Sequence, residues 1–263
     1  MYIKIIFSFC LTLLLLLTTG EAKAGELAEQ LANFPQWEKL TSVKPAEGDL
    51  IYPEWMAGTW KVTSTLVDLA APLAPDIITP GFEGNRRQLN QPISFLVRFV
   101  KIQPFISGFK VTAKIDKPSP ILVADRVFNS LNLSIAYLGD EAVLGVKIDP
   151  ESPNRQVTFF RGERQLVSVV TARATETAPH EFITTEVFQQ YFKGGSRAYF
   201  NNVESTTAYH QLSTLNPAIE ADQVTAVYLS PQDPDYFTAG SRPVALYRYR
   251  LEFFPPADAN DSN

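Results

Sequence analysis

From Gly58 the chain alternates. Gly58, Trp60, Val62, Ser64 and Leu66 fall on one face, and Thr59, Lys61, Thr63 and Thr65 on the other. This is the period-two pattern of a half-buried strand. It recurs at 93–102 and 108–115, where Phe109, Val111, Ala113 and Ile115 alternate with Lys110, Thr112 and Lys114, and 104–108 reads as the turn between them. It recurs again in the last strand, where Tyr247, Tyr249, Leu251 and Phe253 share a face against Arg248, Arg250 and Glu252. Over ADRVFNSLNLSIAYLG the period changes: Val127, Phe128, Leu131, Ile135 and Leu138 make one helical stripe. Asp125 is placed to cap this helix and Gly139 to stop it. Strands resume at 142–148. Arg161-Gly162-Glu163-Arg164 then reads as a tight hairpin connection. EFITTEVFQQYFKGG, RAYFNNVESTTAYHQL and DQVTAVYLS supply further strands. About ten strand candidates, one internal helix and local connections predict a mainly β, antiparallel barrel or sandwich.

Two stretches break the pattern. Residues 25–53 read as an N-terminal arm, weakly helical at 25–31 and broken by Pro35, Pro45 and Pro53, with Trp37 available to dock it. Residues 67–92 carry Pro72, Pro75, Pro80 and Pro92 with Gly81 and Gly84, which is unsuited to a central strand. A loop of this length inside a domain is characteristically functional or disordered. Its Ile77, Ile78, Phe82 and Leu89 imply that it packs on something. We see no internal repeat and no second domain boundary. The predicted organisation is a leader at 1–24, the arm at 25–53, one β domain at 54–255 and a polar tail at 256–263.

The leader is read from Lys4, an apolar run over 5–17 and the small-x-small triplet Ala22-Lys23-Ala24, a pattern cleaved on export. The apolar run is shorter than the roughly 20 residues a spanning helix needs. The chain is therefore expected to be exported and, after cleavage, not an integral membrane protein. Its net charge of −5 argues against nucleic acid, which calls for a strongly basic face. Its one cysteine, Cys10, lies in the leader, so the mature chain is expected to use neither disulfides nor thiol chemistry.

Candidate chemistry is sparse. His180 and His210 are the only histidines, read as a metal or acid–base pair or as two surface residues. Asp233 and Asp235 lack the glycine and distal glutamate of a calcium loop and read as a solvated turn. Asp125-Arg126 and Gly139-Asp140-Glu141 bracket the helix and read either as a polar cluster at a cleft or as caps and surface pairs. No hydrolase, zinc-protease or phosphate-loop motif occurs. The expectation is a protein that is not an enzyme, with no metal and no cofactor. The long loop is the exception. Arg86 and Arg87 in it read either as a solvated loop pair or as a clamp for a carboxylate or phosphate, and with Ile77, Ile78 and Phe82 they make the candidate ligand-binding set. The 18 phenylalanines and 10 tyrosines leave a filled core and a lined cavity equally open.

Gly58-Thr59-Trp60 at the head of the first strand resembles the signature of the lipocalin, or calycin, superfamily. That resemblance implies an antiparallel barrel of about 8–10 strands, with Trp60 plugging its closed end. It also implies an arginine of the last strand, Arg248 or Arg250, lying across the indole, and a long loop at the mouth. Gly58, Trp60, Arg248 and Arg250 are thus the expected structural residues. A longer resemblance runs through ADRVFNSLNLSIAYLGDEAVLGVKIDPESPNRQVTFFRGERQLVSVVTARATE, TTEVFQQYFKGG, YFNNVESTTAYH and YPEWMAGTWKVTSTL. These segments resemble an uncharacterised domain family shared by cyanobacteria and chloroplasts (DUF6816-like). That resemblance implies a thylakoid-lumen or periplasmic protein and carries no catalytic residues. Two functions follow as expectations. One is binding of an apolar small molecule, such as a pigment, quinone or lipid, in the barrel. The other is an accessory or assembly role toward a photosynthetic membrane complex.

Overall fold

The computed structural model describes residues 25–79, 81–104, 119–195 and 198–256. The leader, the strand expected at 108–115 and all of the tail past Pro256 lie outside the described residues. No described helix is long and apolar enough to cross a membrane.

The described residues form eleven strands. They are β1 (Lys44–Pro45), β2 (Gly58–Ala70), β3 (Pro92–Ile102), β4 (Ile121–Ala124), β5 (Val143–Asp149), β6 (Ser152–Phe160), β7 (Arg164–Ala178), β8 (Glu181–Lys193), β9 (Tyr199–Gln211), β10 (Ile219–Leu229) and β11 (Ala245–Phe254). The helices are α1 (Glu26–Ala32), α2 (Phe82–Arg86), α3 (Arg126–Leu138) and α4 (Tyr236–Ala239). Ten strands form one antiparallel sheet in the order β4-β3-β2-β11-β10-β9-β8-β7-β6-β5, and β1 pairs with β7. The sheet curls into a half-barrel. β4 and β5 are its edges, and no strand pairing joins them among the described residues. Helix α3 connects them in sequence and packs on β3 beside one edge and on β5 at the other. The wall is thus completed by a helix.

Local chemistry explains α3. The Asp125 carboxylate accepts from the Phe128 N–H at 3.1 Å, and the Gly139 N–H donates to the Ile135 carbonyl at 2.8 Å. Gly139 sits at φ 84°, a conformation that favours glycine. The expected stripe of Val127, Phe128, Leu131, Ile135 and Leu138 does not become a buried face: no residue of α3 is fully buried. The helix lies over a hollow rather than a packed core, and its inward side carries Asn129, Ser130, Leu133, Ser134 and Tyr137. Phe128 instead lies under the Arg98 guanidinium, 4.2 Å from the ring centre.

Strand β2 runs four residues past Leu66, because its pairing with β11 resumes beyond a bulge between Arg248 and Tyr249. The long loop is therefore 71–91. Its Leu73, Ile77 and Phe82 are buried with Leu66, Val203, Val227, Val244 and Tyr247. This loop covers the end of the half-barrel where β2 finishes. Residues Met56, Trp60, Phe99, Phe182, Ile219 and Phe253 fill the opposite end.

The arm lies on the outside. Leu27, Leu31, Trp37 and Leu40 pack on outward residues of β8, β9 and β10, namely Ile183, Ala208, Val224 and Tyr228. Glu204 is 1 % exposed beneath the arm. It accepts from Gln30 Nε2 at 3.1 Å, Trp37 Nε1 at 3.1 Å and the Leu40 N–H at 3.4 Å. Beyond Pro45 the arm crosses to the other edge, where Ile51 bridges to Val123 and the Tyr52 N–H donates to the Leu122 carbonyl.

Candidate functional site

Alternation decides what faces the interior. On β11 the inward set is Tyr247, Tyr249, Leu251 and Phe253; on β9 it is Val203, Ser205, Thr207 and Tyr209; on β8 it is Glu186, Phe188, Gln190 and Phe192. Because α3 bridges the edges without sinking between them, these side chains do not meet across the middle. They enclose a cavity of about 670 Å³ to which β2–β4, β6–β11 and α3 all contribute.

Its wall has three regions. Aromatic rings close one end: Tyr52 stands 4.7 Å from Phe99 and 5.5 Å from Phe182, and Tyr209 stands 5.9 Å from Phe253, centre to centre. Burial pushes the phenols of Tyr52, Tyr209 and Tyr249 above their ordinary range, so they stay neutral. A middle belt is polar and uncharged. Gln223 Nε2 donates to Ser205 Oγ and Thr207 Oγ1, both at 3.0 Å, and Ser205 pairs in register with Thr225. Opposite, Gln156, Ser168 and Gln190 lie in cross-strand register, and Gln156 is tied to Ser130 of α3. The third region is the mouth. Leu133, Tyr137 and Leu138 of α3 and Phe192 of β8 line the cavity yet are 41, 41, 55 and 36 % exposed, so it meets solvent beside the last turns of α3.

One charged cluster touches the cavity. Arg126, the first residue of α3, donates to Glu186 at 3.0 Å and lies 3.8 Å from Asp49 of the arm. Arg173 lies 3.3 Å from Glu186 and donates to the Gly48 carbonyl at 3.1 Å and to Asn154. Burial works against the charge on Arg126, but Glu186 holds its pKa above the ordinary value; for Arg173 burial prevails and the pKa is lowered. The two arginines and two acids balance in charge. Chemically the cluster pins the arm, the start of α3 and the β7–β8 hairpin together. A second hollow of about 540 Å³ lies between the arm and β7. Glu176 in its wall caps α1 through the Leu27 N–H at 2.8 Å, and Arg173 is already engaged.

The residues singled out from sequence are placed as follows. Ile77 and Phe82 are buried in the loop that covers the barrel end, whereas Ile78, Arg86 and Arg87 face solvent. Arg86 pairs with Glu83 at 3.1 Å and lies over Phe82. None of the five lines the cavity. Trp60 lies among the residues that fill the aromatic end, and its indole N–H donates to the Met56 carbonyl at 2.9 Å; Gly58, two residues earlier, is at φ 107°. The expected arginine–indole contact does not form. Arg248 and Arg250 point outward from β11, where Arg248 pairs with Asp222 and lies over Phe34, and Arg250 is exposed 4.0 Å from Glu252. Register sets this: Tyr249 and Leu251 take the inward positions on the same strand. His180 bonds Gln211 at 3.1 Å and His210 lies 3.6 Å from Glu181, both at the surface. Asp233 accepts from the Asp235 N–H in a turn.

Of the two readings of Arg126, its half-buried contacts with Glu186 and Asp49 beside the cavity favour the polar cluster over the surface pair. The cavity belt of Gln156, Ser205, Gln223 and Thr225 was missed outright. The available signal was polar residues recurring at inward positions of otherwise apolar strands.

The chain belongs to the family described as domain of unknown function (DUF6816), whose model matches residues 44–257. No curated protein and no solved structure matches it. The matched span takes in all of the sheet and α3 and leaves out α1 and most of the arm.

Proposed function

We propose that this is a non-catalytic binding protein that holds an apolar small molecule, such as a pigment, quinone or lipid, inside the half-barrel. The observation that carries this reading is the cavity itself. At about 670 Å³ it falls in the range of about 300–1,000 Å³ typical of ligand pockets. It has aromatic walls, and it opens to solvent past a group of apolar side chains, Leu133, Tyr137, Leu138 and Phe192. The leader pattern at 1–24 and the family resemblance support an exported protein of the thylakoid lumen or periplasm. An assembly role through surface contacts has less support. Among the described residues the most exposed apolar side chains, Leu215 in the connection before β10 and Phe237 on α4 after it, sit at opposite ends of β10 and make no single face.

The test is titration with a neutral apolar dye such as Nile red. Ser134 faces the cavity from α3, a helix with no fully buried residue. Saturable binding by the native protein, lost in Ser134→Trp at unchanged fold, supports the reading. No binding, or equal binding by both proteins, contradicts it.

A further inference from the structure

The wall chemistry narrows the ligand. Among the described residues lining the cavity, Arg126 is the one ionisable side chain of Asp, Glu, Lys, Arg or His type, and it is already held by Glu186 and Asp49. An ion drawn into the cavity would lose hydration and find no free counter-charge among the described residues, which is strongly unfavourable. A pure hydrocarbon fits little better. It would cover Gln223, Ser205, Thr225 and Gln190, all half-exposed toward the hollow, and strip them of water without replacing its hydrogen bonds.

We propose that the ligand is an uncharged amphiphile whose hydroxyl or carbonyl seats on the Gln223–Ser205–Thr225 shelf while its apolar body lies among Phe95, Phe188, Tyr249 and Leu251. This deepens the reading of the cavity as a ligand site and rests on it. The shelf is built to serve such a group. Gln223 uses its amide N–H groups on Ser205 and Thr207 at 3.0 Å each, which leaves its Oε1 as an acceptor. Ser205 Oγ, having accepted from Gln223, still carries a proton to donate, and Thr225 beside it in register can donate or accept. The shelf lies on β9 and β10 at mid-strand, within the sheet rather than at a loop, so its geometry is fixed before a ligand arrives.

The experiment is displacement of Nile red by decanol, decanoate, decylammonium and decane at mildly alkaline pH, with native protein and Thr225→Val. A melting curve for each confirms folding, and Gln223→Leu serves as the second variant. Decanol is expected to displace the dye. Decanoate and decylammonium are expected to be more than about tenfold weaker. The preference for decanol over decane is expected to fall roughly three- to tenfold in either variant, the worth of one lost hydrogen bond. Decanoate or decylammonium binding as well as decanol, or an unchanged decanol-to-decane ratio in both variants, overturns the inference while leaving a lipophile cavity in place. Absence of dye binding in the native protein overturns the cavity reading and this inference with it.

Discussion

Glu204 shows how one residue couples the arm to the sheet. Burial raises its pKa although Gln30, Leu40 and Trp37 all donate to it. The folded chain therefore holds a proton at pH values where the unfolded chain has released it. Stability from this site is greatest at the acid end, declines as pH rises from the ordinary glutamate pKa through the raised one, and is constant above. Thermal melts across that window should show this slope, and Glu204→Gln should flatten it. Glu204→Ala should cost roughly 3 kcal/mol, because three donors lose their acceptor in a buried place. Gly194 makes a different kind of prediction. It sits at φ 85°, and a Cβ there would stand 2.6 Å from the Glu163 carbonyl oxygen. Gly194→Ala should destabilise by about 2 kcal/mol in denaturant titration through backbone strain. At this scale the sequence was readable where chemistry is local. The Asp125 cap and the Gly139 stop needed only their neighbours. Arg126 needed Glu186, sixty residues away, and Asp49 in the arm, so nothing near it distinguished a buried ion pair from a surface charge.

Among the elements, β2 and β11 were legible because apolar and polar positions alternate along them, whereas β8 and β9 are covered on both faces, by the arm outside and the interior within, and carry no such contrast. The extension of β2 to Ala70 was hidden by the bulge that shifts its register against β11. The helix was legible in length and ends but not in which side it buries. Its pattern suggested an apolar stripe against a core, whereas its inward side faces a cavity and mixes Leu133 and Tyr137 with Asn129 and Ser134. Asp125 is the hinge of its attachment, since it caps Phe128 and pairs with Arg98 at 2.6 Å. Asp125→Ala should cost about 1–2 kcal/mol by loss of the cap and the pair. It should also raise hydrogen exchange in α3 ahead of the sheet. Leu122 on β4, 1 % exposed, tests the edge that α3 completes, and Leu122→Ala should cost about 2–5 kcal/mol.

For the molecule as a whole, the sequence foretold an antiparallel β structure with one internal helix and a long loop. The chain builds it as a half-barrel whose missing wall is that helix. Closure was not legible, because which strands become edges depends on pairings across the whole chain. The cavity was not legible for the same reason. The long loop drew attention by its prolines, yet Leu73, Ile77 and Phe82 tie it down as a cover, and the space lies under α3. A ligand that binds only the folded chain must stabilise it, by about 2.7 kcal/mol at a hundred times its dissociation constant. The melting temperature should therefore rise with decanol in the native protein and not in Ser134→Trp. The most direct measurement is native mass spectrometry of the protein purified gently from its source. The expected result is a mass above that of the polypeptide by one uncharged, largely apolar molecule, which collisional activation or organic solvent releases and which Ser134→Trp does not carry. A native protein that shows only the polypeptide mass, or an adduct equally present in Ser134→Trp, would contradict it.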